Sequence, residues 1–550
     1  MITEIHKKYL TEKIGTDGNV ESCGFVVPDK FNFSYDVVDK IATEEPHRRA
    51  MHWSNEYGEK QVFSFHDMKE QSDRAAAYFQ SLGIGKGDCV MLVLKRHYQF
   101  WFALLGLHKI GAIAVPTSYM LKVEEFNYRL DKIDIKAVIC TPENDVPSRI
   151  QEAEEISGKS MLKIMVKETL PGWLSFEQGL AEADEFKPLP PAEWPGIHDI
   201  MLLYFTSGTE SMPKMVSHDY SYPIGHIPTA KYWHNVDPDG LHLTVADTGW
   251  AKSVWGKLYG QWFLGAGVAV YDYNKFTAHA LLSRMAEDRV TTFCAPSSIY
   301  RVLVQEDLGK YDLDCVQHYL VAGEALNPEV IEKFSQMTGR GIYEGYGQTE
   351  TTLTIGMMHW MKVRPGSMGK PGMQYHIELL DSEGKEVPTG EAGEICVITD
   401  YGELPGMFLG YHDEPEMNRE KWHDGIYHTG DLAWRDEDGY FWFIGRNDDV
   451  FKSSGYRISP FEIENLIMEF PGILECAVTG VPEKLRGNVI KATIVLAKGI
   501  EPSSKVKADI KAYLKSRVAS YKIPRQMEFV DELPKTSSGK IRHSEIRDGK

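Results

Sequence analysis

The stretch Cys89–Leu94 (CVMLVL) is a near-continuous apolar run of buried-strand length. A helical segment from about His97 to His108 follows it, then a short second run, Ala112–Pro116. Parallel strands cannot be joined by a tight turn, so strand–helix–strand at this spacing predicts a parallel sheet with crossover helices. A strand covered on both faces is apolar throughout instead of alternating, as CVMLVL is. The pattern continues with a helix from Val123 and a strand at Ala137–Cys140. It resumes after residue 240, with candidate strands at Leu241–Val245, Gly267–Tyr271, Thr291–Cys294, Tyr319–Val321 and Ile342–Glu344. Two doubly wound α/β layers are therefore expected. Residues 142–195 read as a polar, Pro-rich connector between them, ending in LPPAEWPG. From about 375 to 442 the pattern changes to short strands punctuated by DSEGKE, VPTGEAGE and DEDGY, which predicts a small β-rich subdomain.

Charge marks a further division. The chain carries −19 overall, yet residues 449–550 hold 18 Lys and Arg against 13 Asp and Glu. A separate C-terminal module is expected there, opening on a helix with Ser459 as N-cap, Pro460 at the first helical position and Glu462 reaching back. The acidic total argues against general nucleic-acid binding, which needs a basic face. Seven scattered cysteines, without a C-x-x-C, favour a reducing compartment over a disulfide framework or a zinc site. The N-terminus lacks the apolar run of a signal peptide, and Phe100–Val115 is too short and interrupted to span a bilayer. A cytoplasmic enzyme is the expectation.

Five stretches carry chemistry. The first, Tyr204–Lys214 (YFTSGTESMPK), lies between the apolar run Ile200–Leu203 and a second candidate strand at Met215–Ser217. The hydroxyls of Thr206, Ser207 and Thr209 and nearby amides can donate to phosphate oxygens. Gly208 allows close approach, and Lys214 adds a charge. Pro213 stands where a Walker A loop needs its second glycine, so this is another kind of nucleotide loop. In Tyr343–Thr352 (YEGYGQTETT), Glu350 is a hard oxygen ligand suited to Mg²⁺, and Tyr346 offers a flat face to a purine. In Tyr427–Asp431 (YHTGD), Asp431 can accept both hydroxyls of a ribose. The last two stretches are Gly445–Arg457 (GRNDDVFKSSGYR) and Leu533–Lys540 (LPKTSSGK).

In this order and at these separations, the five stretches resemble the adenylate-forming superfamily of acyl-CoA synthetases, aryl-CoA ligases, luciferases and adenylation domains. The motifs DTGW (Asp247–Trp250), SYPIGH, AGEAL, GYGQTET and SSGYRI are most similar to the medium-chain acyl-CoA synthetases. The resemblance implies an α/β protein: a large N-terminal domain (1–447) of two doubly wound sheets plus a small β-barrel-like subdomain. A mobile α+β C-terminal domain (448–550) would follow. It implies that Thr206–Lys214 holds the β- and γ-phosphates of ATP, and that Gly323, Glu324 and Ala325 cover one face of adenine. Tyr346 would cover the other face, with Glu344 near the amino group. Gln348 and Thr349 would lie beside the α-phosphate, Glu350 would bind Mg²⁺, Asp431 the ribose, and Arg446 the nucleotide. Asp448 would be the hinge and Lys540 the lysine of acyl-adenylate formation. Ser454, Gly455, Tyr456 and Arg457 would form the CoA tunnel. Glu210-Ser211 replaces the family's usual Thr-Gly, setting a carboxylate beside a polyphosphate.

The implied reaction joins a carboxylic acid to CoA at the expense of ATP, with no nucleic acid and no transmembrane segment involved. Assembly as a homodimer is left open. Gly347 stands where acetate-specific relatives carry a bulky Trp, which predicts an acyl pocket open at its floor. Trp233, Trp250, Lys252 and Trp255 cluster where family pockets are built, and their bulk favours a short- to medium-chain acid, branched chains included. An aryl acid, a carrier-protein acceptor in place of CoA, and a nucleotide sensor without catalysis are the alternatives.

Overall fold

The computed structural model describes residues 2–206, 212–399, 404–453, 456–483, 487–536 and 540–548. Cys89–Val93 is a strand, Gln99–Ile110 a helix and Ile113–Pro116 the next strand, paired in parallel with the first. They belong to an eight-stranded sheet. It runs, in spatial order, Gly410–Tyr411, Lys214–Asp219, Ile200–Thr206, Ile113–Pro116, Cys89–Val93, Ile135–Cys140, Leu162–Met165, Leu174–Ser175. The second sheet has nine strands, with Ile342–Gly347, His318–Ala322, Thr292–Ala295, Leu241–Thr244, Gly267–Asp272 and Arg49–Asn55 parallel at its centre. Both predicted layers are present.

The main core lies between the two sheets. Helix Gln99–Ile110 is buried along its whole length there, and Trp101 donates to the Lys257 carbonyl at 2.9 Å. Burying a helix on every side requires its charges to be paired. Lys109, fully buried, meets Asp39 at 2.8 Å and Asp73 at 2.5 Å. A second ionic group ties strand ends of both sheets. His97 Nδ1 lies 2.7 Å from Asp272 Oδ2, and Lys95 lies 2.7 Å from Glu143 and 3.4 Å from Asp272. Asp272 is buried, but its partners His97, Lys95 and Arg96 outweigh that burial and hold its carboxyl well below the usual range.

Ser64 caps helix Phe65–Ser81 with the reciprocal Asp67 bonds its sequence predicts. The expected connector over 142–195 is corrected. It contains helix Val146–Ser157, helix Phe176–Glu182 and two strands that extend the first sheet. The helix buries Val146, Ile150 and Ala153, a spacing masked by the Glu-rich exposed face.

The small sheet is antiparallel: His376–Leu380, Ala392–Ile398, Ile426–Arg435 and Trp422–His423, with Phe441–Arg446 also on Ile426–Arg435. The C-terminal module has its own core around a three-stranded sheet, Ile473–Glu483, Gly487–Leu496 and Gln526–Phe529. Helices Pro460–Met468 and Ser504–Lys515 pack within it. Ser459 accepts from the Glu462 amide at 3.2 Å, as predicted. The Glu462 carboxylate does not reach back; it meets Lys522 at 2.5 and 2.7 Å, because a full ammonium outcompetes a backbone amide for a carboxylate.

Candidate active site

Strands His318–Ala322 and Ile342–Gly347 are parallel, with Ala322 opposite Gly345, so their carboxyl ends emerge side by side. Open α/β sheets bind ligands at such ends. Gly323 follows the first strand at φ +101°, a backbone that any side chain would strain. Glu324 accepts from Ser297 Oγ at 2.8 Å. Glu344 is buried beneath this turn, and its two oxygens accept from the amides of Leu326 (3.1 Å) and Gly366 (3.2 Å). Burial pushes its carboxyl up to about 8 against the pull of those amides. The carboxylate expected beside an adenine amino group is therefore engaged in fixing the walls of the cleft.

Asp431 is the most connected candidate. It is nearly fully buried, at 5 % exposure, and Oδ2 accepts from Tyr346 Oη and Gln348 Nε2, both at 2.6 Å. Arg446 Nε lies 3.5 Å from Oδ1 and its Nη2 lies 3.3 Å from Asp448. Burial raises the Asp431 carboxyl, while Arg446, Tyr346, Gln348 and the charge of Lys540 act in the opposite direction. Gln348 is oriented from both ends: Nε2 donates to the Thr429 carbonyl at 2.9 Å, and Oε1 accepts from Tyr427 Oη at 2.9 Å. The Thr349 carbonyl is bound by His218 Nε2 at 2.8 Å, which pins this loop to strand Lys214–Asp219.

Thr206 pairs with Lys214, so the first motif is flanked by two antiparallel strands, Ile200–Thr206 and Lys214–Asp219. Ser207, Gly208 and Thr209, together with Glu210 and Ser211, lie outside the described residues, as do Ser454 and Gly455 and the side chains of Tyr456 and Arg457. The Lys214 ammonium lies 5.2 Å from the centroid of the Tyr411 ring, and Tyr411 Oη donates to Glu350 Oε1 at 2.8 Å. Burial lowers the Lys214 ammonium, helped by Lys421 and opposed by Glu350. A carboxylate and an ammonium at one corner fit a cation bridged by phosphate oxygens, since Mg²⁺ usually takes one or two carboxylates plus substrate phosphates.

Lys540 comes from the C-terminal module. Its amide donates to Thr536 Oγ1 at 3.1 Å and its carbonyl accepts from the Thr536 amide at 2.8 Å. Its charge reaches both Asp431 and Lys252. Lys540 thus comes within electrostatic reach of residues more than a hundred positions away.

The expected open floor is corrected. A Cβ built on Gly347 lies 2.5 Å from Trp255 Cη2 and 2.4 Å from the Thr352 carbonyl, so the indole of Trp255 occupies the space that glycine leaves. Trp233 is core: it is fully buried, donates to the Glu344 carbonyl at 3.2 Å, and lies 2.5 Å from a Cβ built on Gly345. Trp250 is half-buried at the start of helix Ala251–Lys257, and Lys252 Nζ donates to the Ala322 carbonyl at 2.5 Å. Tyr411, Tyr427, Thr429 and His218 were missed by sequence reasoning. Tyr427 and Thr429 sit inside YHTGD and could have been found; nothing in spacing marks Tyr411 or His218.

Two family models match the chain: AMP-binding enzyme over residues 38–412, and AMP-binding enzyme C-terminal domain over 462–540. The 4-hydroxybutyrate–CoA ligase 1 of Metallosphaera sedula is 39% identical over 523 residues, covering 94% of this chain and 90% of the ligase. The mitochondrial acyl-coenzyme A synthetase ACSM3 of Rattus norvegicus is 34% identical over 530 residues, covering 95% and 91%. Among solved structures, the anthranilate CoA ligase AuaEII in complex with anthranoyl-AMP superposes with a TM-score of 0.86 at 27% identity, covering 95% of this chain and 98% of that one.

Proposed function

The chain belongs to the AMP-binding enzyme family; on that premise it is an AMP-forming acyl-CoA synthetase, and we propose that its acid is a short- to medium-chain carboxylic acid. The observation that carries the reading is the convergence of Tyr346, Gln348, Arg446 and the Lys540 charge on Asp431. That convergence supports reading Asp431 as the ribose-binding carboxylate, Gln348 as the phosphate-side amide and Lys540 as the mobile cation of one nucleotide site.

In the first half-reaction a carboxylate oxygen bonds to the α-phosphorus of ATP as the bond from that phosphorus to pyrophosphate breaks. Both reactants are anions, so catalysis consists of neutralising charge and aligning the attack. Lys214 faces the departing phosphates, Gln348 and Thr349 flank the α-phosphate, and Lys540 stabilises charge on the transferring group. Mg²⁺, held by Glu350 with phosphate oxygens, supplies further neutralisation when bound. Asp431 holds the ribose, while Gly323–Ala325 and Tyr346 enclose the adenine.

In the second half-reaction the CoA sulfur bonds to the acyl carbon, and the bond from that carbon to AMP breaks. Lys540 must withdraw first. We place the joint at Asp448, dividing the chain into residues 1–447 and 448–550. Rotation there brings Ser454–Arg457 to the cleft as a tunnel for pantetheine. The basic surplus of the C-terminal module suits a lid over anionic substrates. All seven cysteines are free, which fits a reducing compartment such as the cytoplasm.

The indoles of Trp250 and Trp255 limit the acyl pocket and exclude long fatty acids from the proposal. An aryl acid is the rival, favoured by those same flat walls. Pyrophosphate release measured with C2 to C16 fatty acids and benzoate tests the reading. A maximum at intermediate length is expected; equal turnover of acetate and palmitate, or a preference for benzoate, would overturn it.

A further inference from the structure

The small antiparallel sheet carries ligand chemistry on the face turned away from its core. Among the described residues, Glu394, Cys396 and His428 bring a carboxylate oxygen, a sulfur and a ring nitrogen within 4.8 Å of one another. Cys396 stands directly opposite His428 on the neighbouring strand, and Glu394, two residues before Cys396, shares its face. Ile395 and Val397 point the other way, into the core. His428 Nδ1 lies 3.5 Å from Cys396 Sγ and 3.1 Å from Glu394 Oε2. At ordinary Zn–S, Zn–N and Zn–O lengths a tetrahedral site spans about 3.6 Å from sulfur to nitrogen and about 3.4 Å from nitrogen to oxygen. One ring nitrogen divided between a thiol and a carboxylate serves both weakly, whereas one cation takes all three atoms at once.

The electrostatics favour a cation. Cys396 is fully buried, and burial, followed by the charges of Glu394 and Glu378, holds its thiol up. Glu378 is its partner on the other neighbouring strand. Two carboxylates that oppose a thiolate attract a dication, and a bound dication reverses the balance at the sulfur. The side chains of Glu394 and His428 are 21% and 19% exposed, so an ion reaches the group from solvent without crossing the core. Without a C-x-x-C the sequence argues against a zinc site; the fold brings the third ligand from a strand 32 residues beyond Cys396.

We propose that Glu394, Cys396 and His428 bind one Zn²⁺ ion, and that the ion holds the turn presenting Asp431. The thiol proton leaves to solvent as the zinc–sulfur bond forms, and water completes the coordination. A thiolate with an imidazole selects Zn²⁺ over Mg²⁺, so the site is separate from the one expected at Glu350. Two of the ligands already grip the turn. Glu394 Oε1 accepts from the Gly430 amide at 2.8 Å, and His428 adjoins Thr429 in the chain. Thr429 Oγ1 accepts from the Asp431 amide at 3.1 Å, and the Thr429 carbonyl accepts from Gln348. An ion that fixes Glu394 and His428 therefore fixes the backbone from Thr429 to Asp431.

The test titrates the full-length enzyme, free of a histidine tag and stripped with EDTA, with Zn²⁺ against a chromophoric chelator in excess Mg²⁺. One equivalent should bind. Cys396→Ser and His428→Gln should each weaken binding by more than the about 10- to 100-fold that loss of an outer-shell partner costs. His428→Gln, at a half-buried position, serves if the buried Cys396→Ser variant does not fold. Co²⁺ in place of Zn²⁺ should give the wild type a thiolate charge-transfer band that Cys396→Ser lacks. Hydrogen exchange of the amides of residues 429–431 should slow by at least about tenfold with Zn²⁺ in the wild type and in neither variant. No tight equivalent in the wild type, an affinity unchanged in the variants, or exchange over 429–431 that ignores the ion overturns the inference. Each of these leaves the ligase reading, measured by pyrophosphate release, untouched.

Discussion

Tyr346 Oη donates to Asp431 Oδ2 at 2.6 Å, a bond between strand Ile342–Gly347 of the nine-stranded sheet and the small antiparallel sheet. The residue expected to cover adenine and the residue expected to hold ribose are thus one mechanical unit. Neither can shift without the other, and Gln348 shares the same carboxylate oxygen.

Tyr346→Phe should therefore weaken ATP binding beyond the loss of a ring hydroxyl. Hydrogen bonds to a charged group contribute about 1.5–3 kcal/mol, so KM for ATP should rise about 10- to 100-fold. The bond also lowers the Asp431 carboxyl, which burial raises. Without it the carboxyl moves up, the ionised form is lost at a higher pH, and the acid limb of the kcat/KM profile for ATP should shift to higher pH. A KM rise with an unmoved acid limb would assign Tyr346 to packing alone.

Lys540→Ala should separate the half-reactions. Carboxylate-dependent pyrophosphate release should fall about 10²- to 10³-fold, the range for removing one electrostatic contact to a transition state. Thioester formation from supplied acyl-AMP should stay within a few-fold of wild type. Equal losses in both assays would refute the withdrawal of Lys540 between steps.

Glu344 predicts a pH dependence of stability. Its carboxyl is raised from 4.5 to about 8 in the fold, so between those values the folded state holds a proton that the unfolded state has released. Stability from this group is full below the unfolded value and is lost as pH rises through about 8. Glu344→Gln removes the titration. Its Tm should fall less than that of wild type between pH 5 and pH 9, whatever its absolute value; parallel Tm profiles would show that Glu344 is not the source.

Trp255→Ala should lengthen the acids accepted. The kcat/KM ratio of octanoate to butyrate should rise about tenfold or more, as each methylene accommodated is worth about 1–3 kcal/mol in a pocket. The same change should cost about 3–5 kcal/mol of stability by the cavity it leaves, measured by denaturant unfolding. An unchanged ratio would place the acyl chain elsewhere.

Legibility in the sequence followed the range of the interaction. Cys89–Val93, the Ser64 and Ser459 caps and the Thr206–Lys214 hairpin depend on neighbours, and all are where the residues imply. Residues of the second, third and fourth motifs, Tyr346, Gln348, Asp431 and Arg446, meet in the fold although they are up to a hundred positions apart. Trp255 against Gly347 was not legible, since glycine in a motif marks room without saying which distant side chain occupies it. Glu462 was misassigned for the same reason: Lys522, sixty residues on, outcompetes the local amide. The polar face of helix Val146–Ser157 hid a secondary-structure element whose buried positions only the sheet beneath reveals.

The hydroxyl of Ser459 has two halves. Its oxygen accepts from the Glu462 amide and so belongs to helix Pro460–Met468, while its proton goes to the Ile444 carbonyl at 2.5 Å, on a strand of the small sheet. Any rearrangement that carries the helix away from that strand keeps the cap and gives up the proton's partner, for which water substitutes. The net difference for such an exchange is about 1 kcal/mol, a shift of about fivefold in an equilibrium. In the proposed rotation about Asp448, this single oxygen would act as a detent, firm enough to favour one setting and weak enough to let substrate binding choose the other.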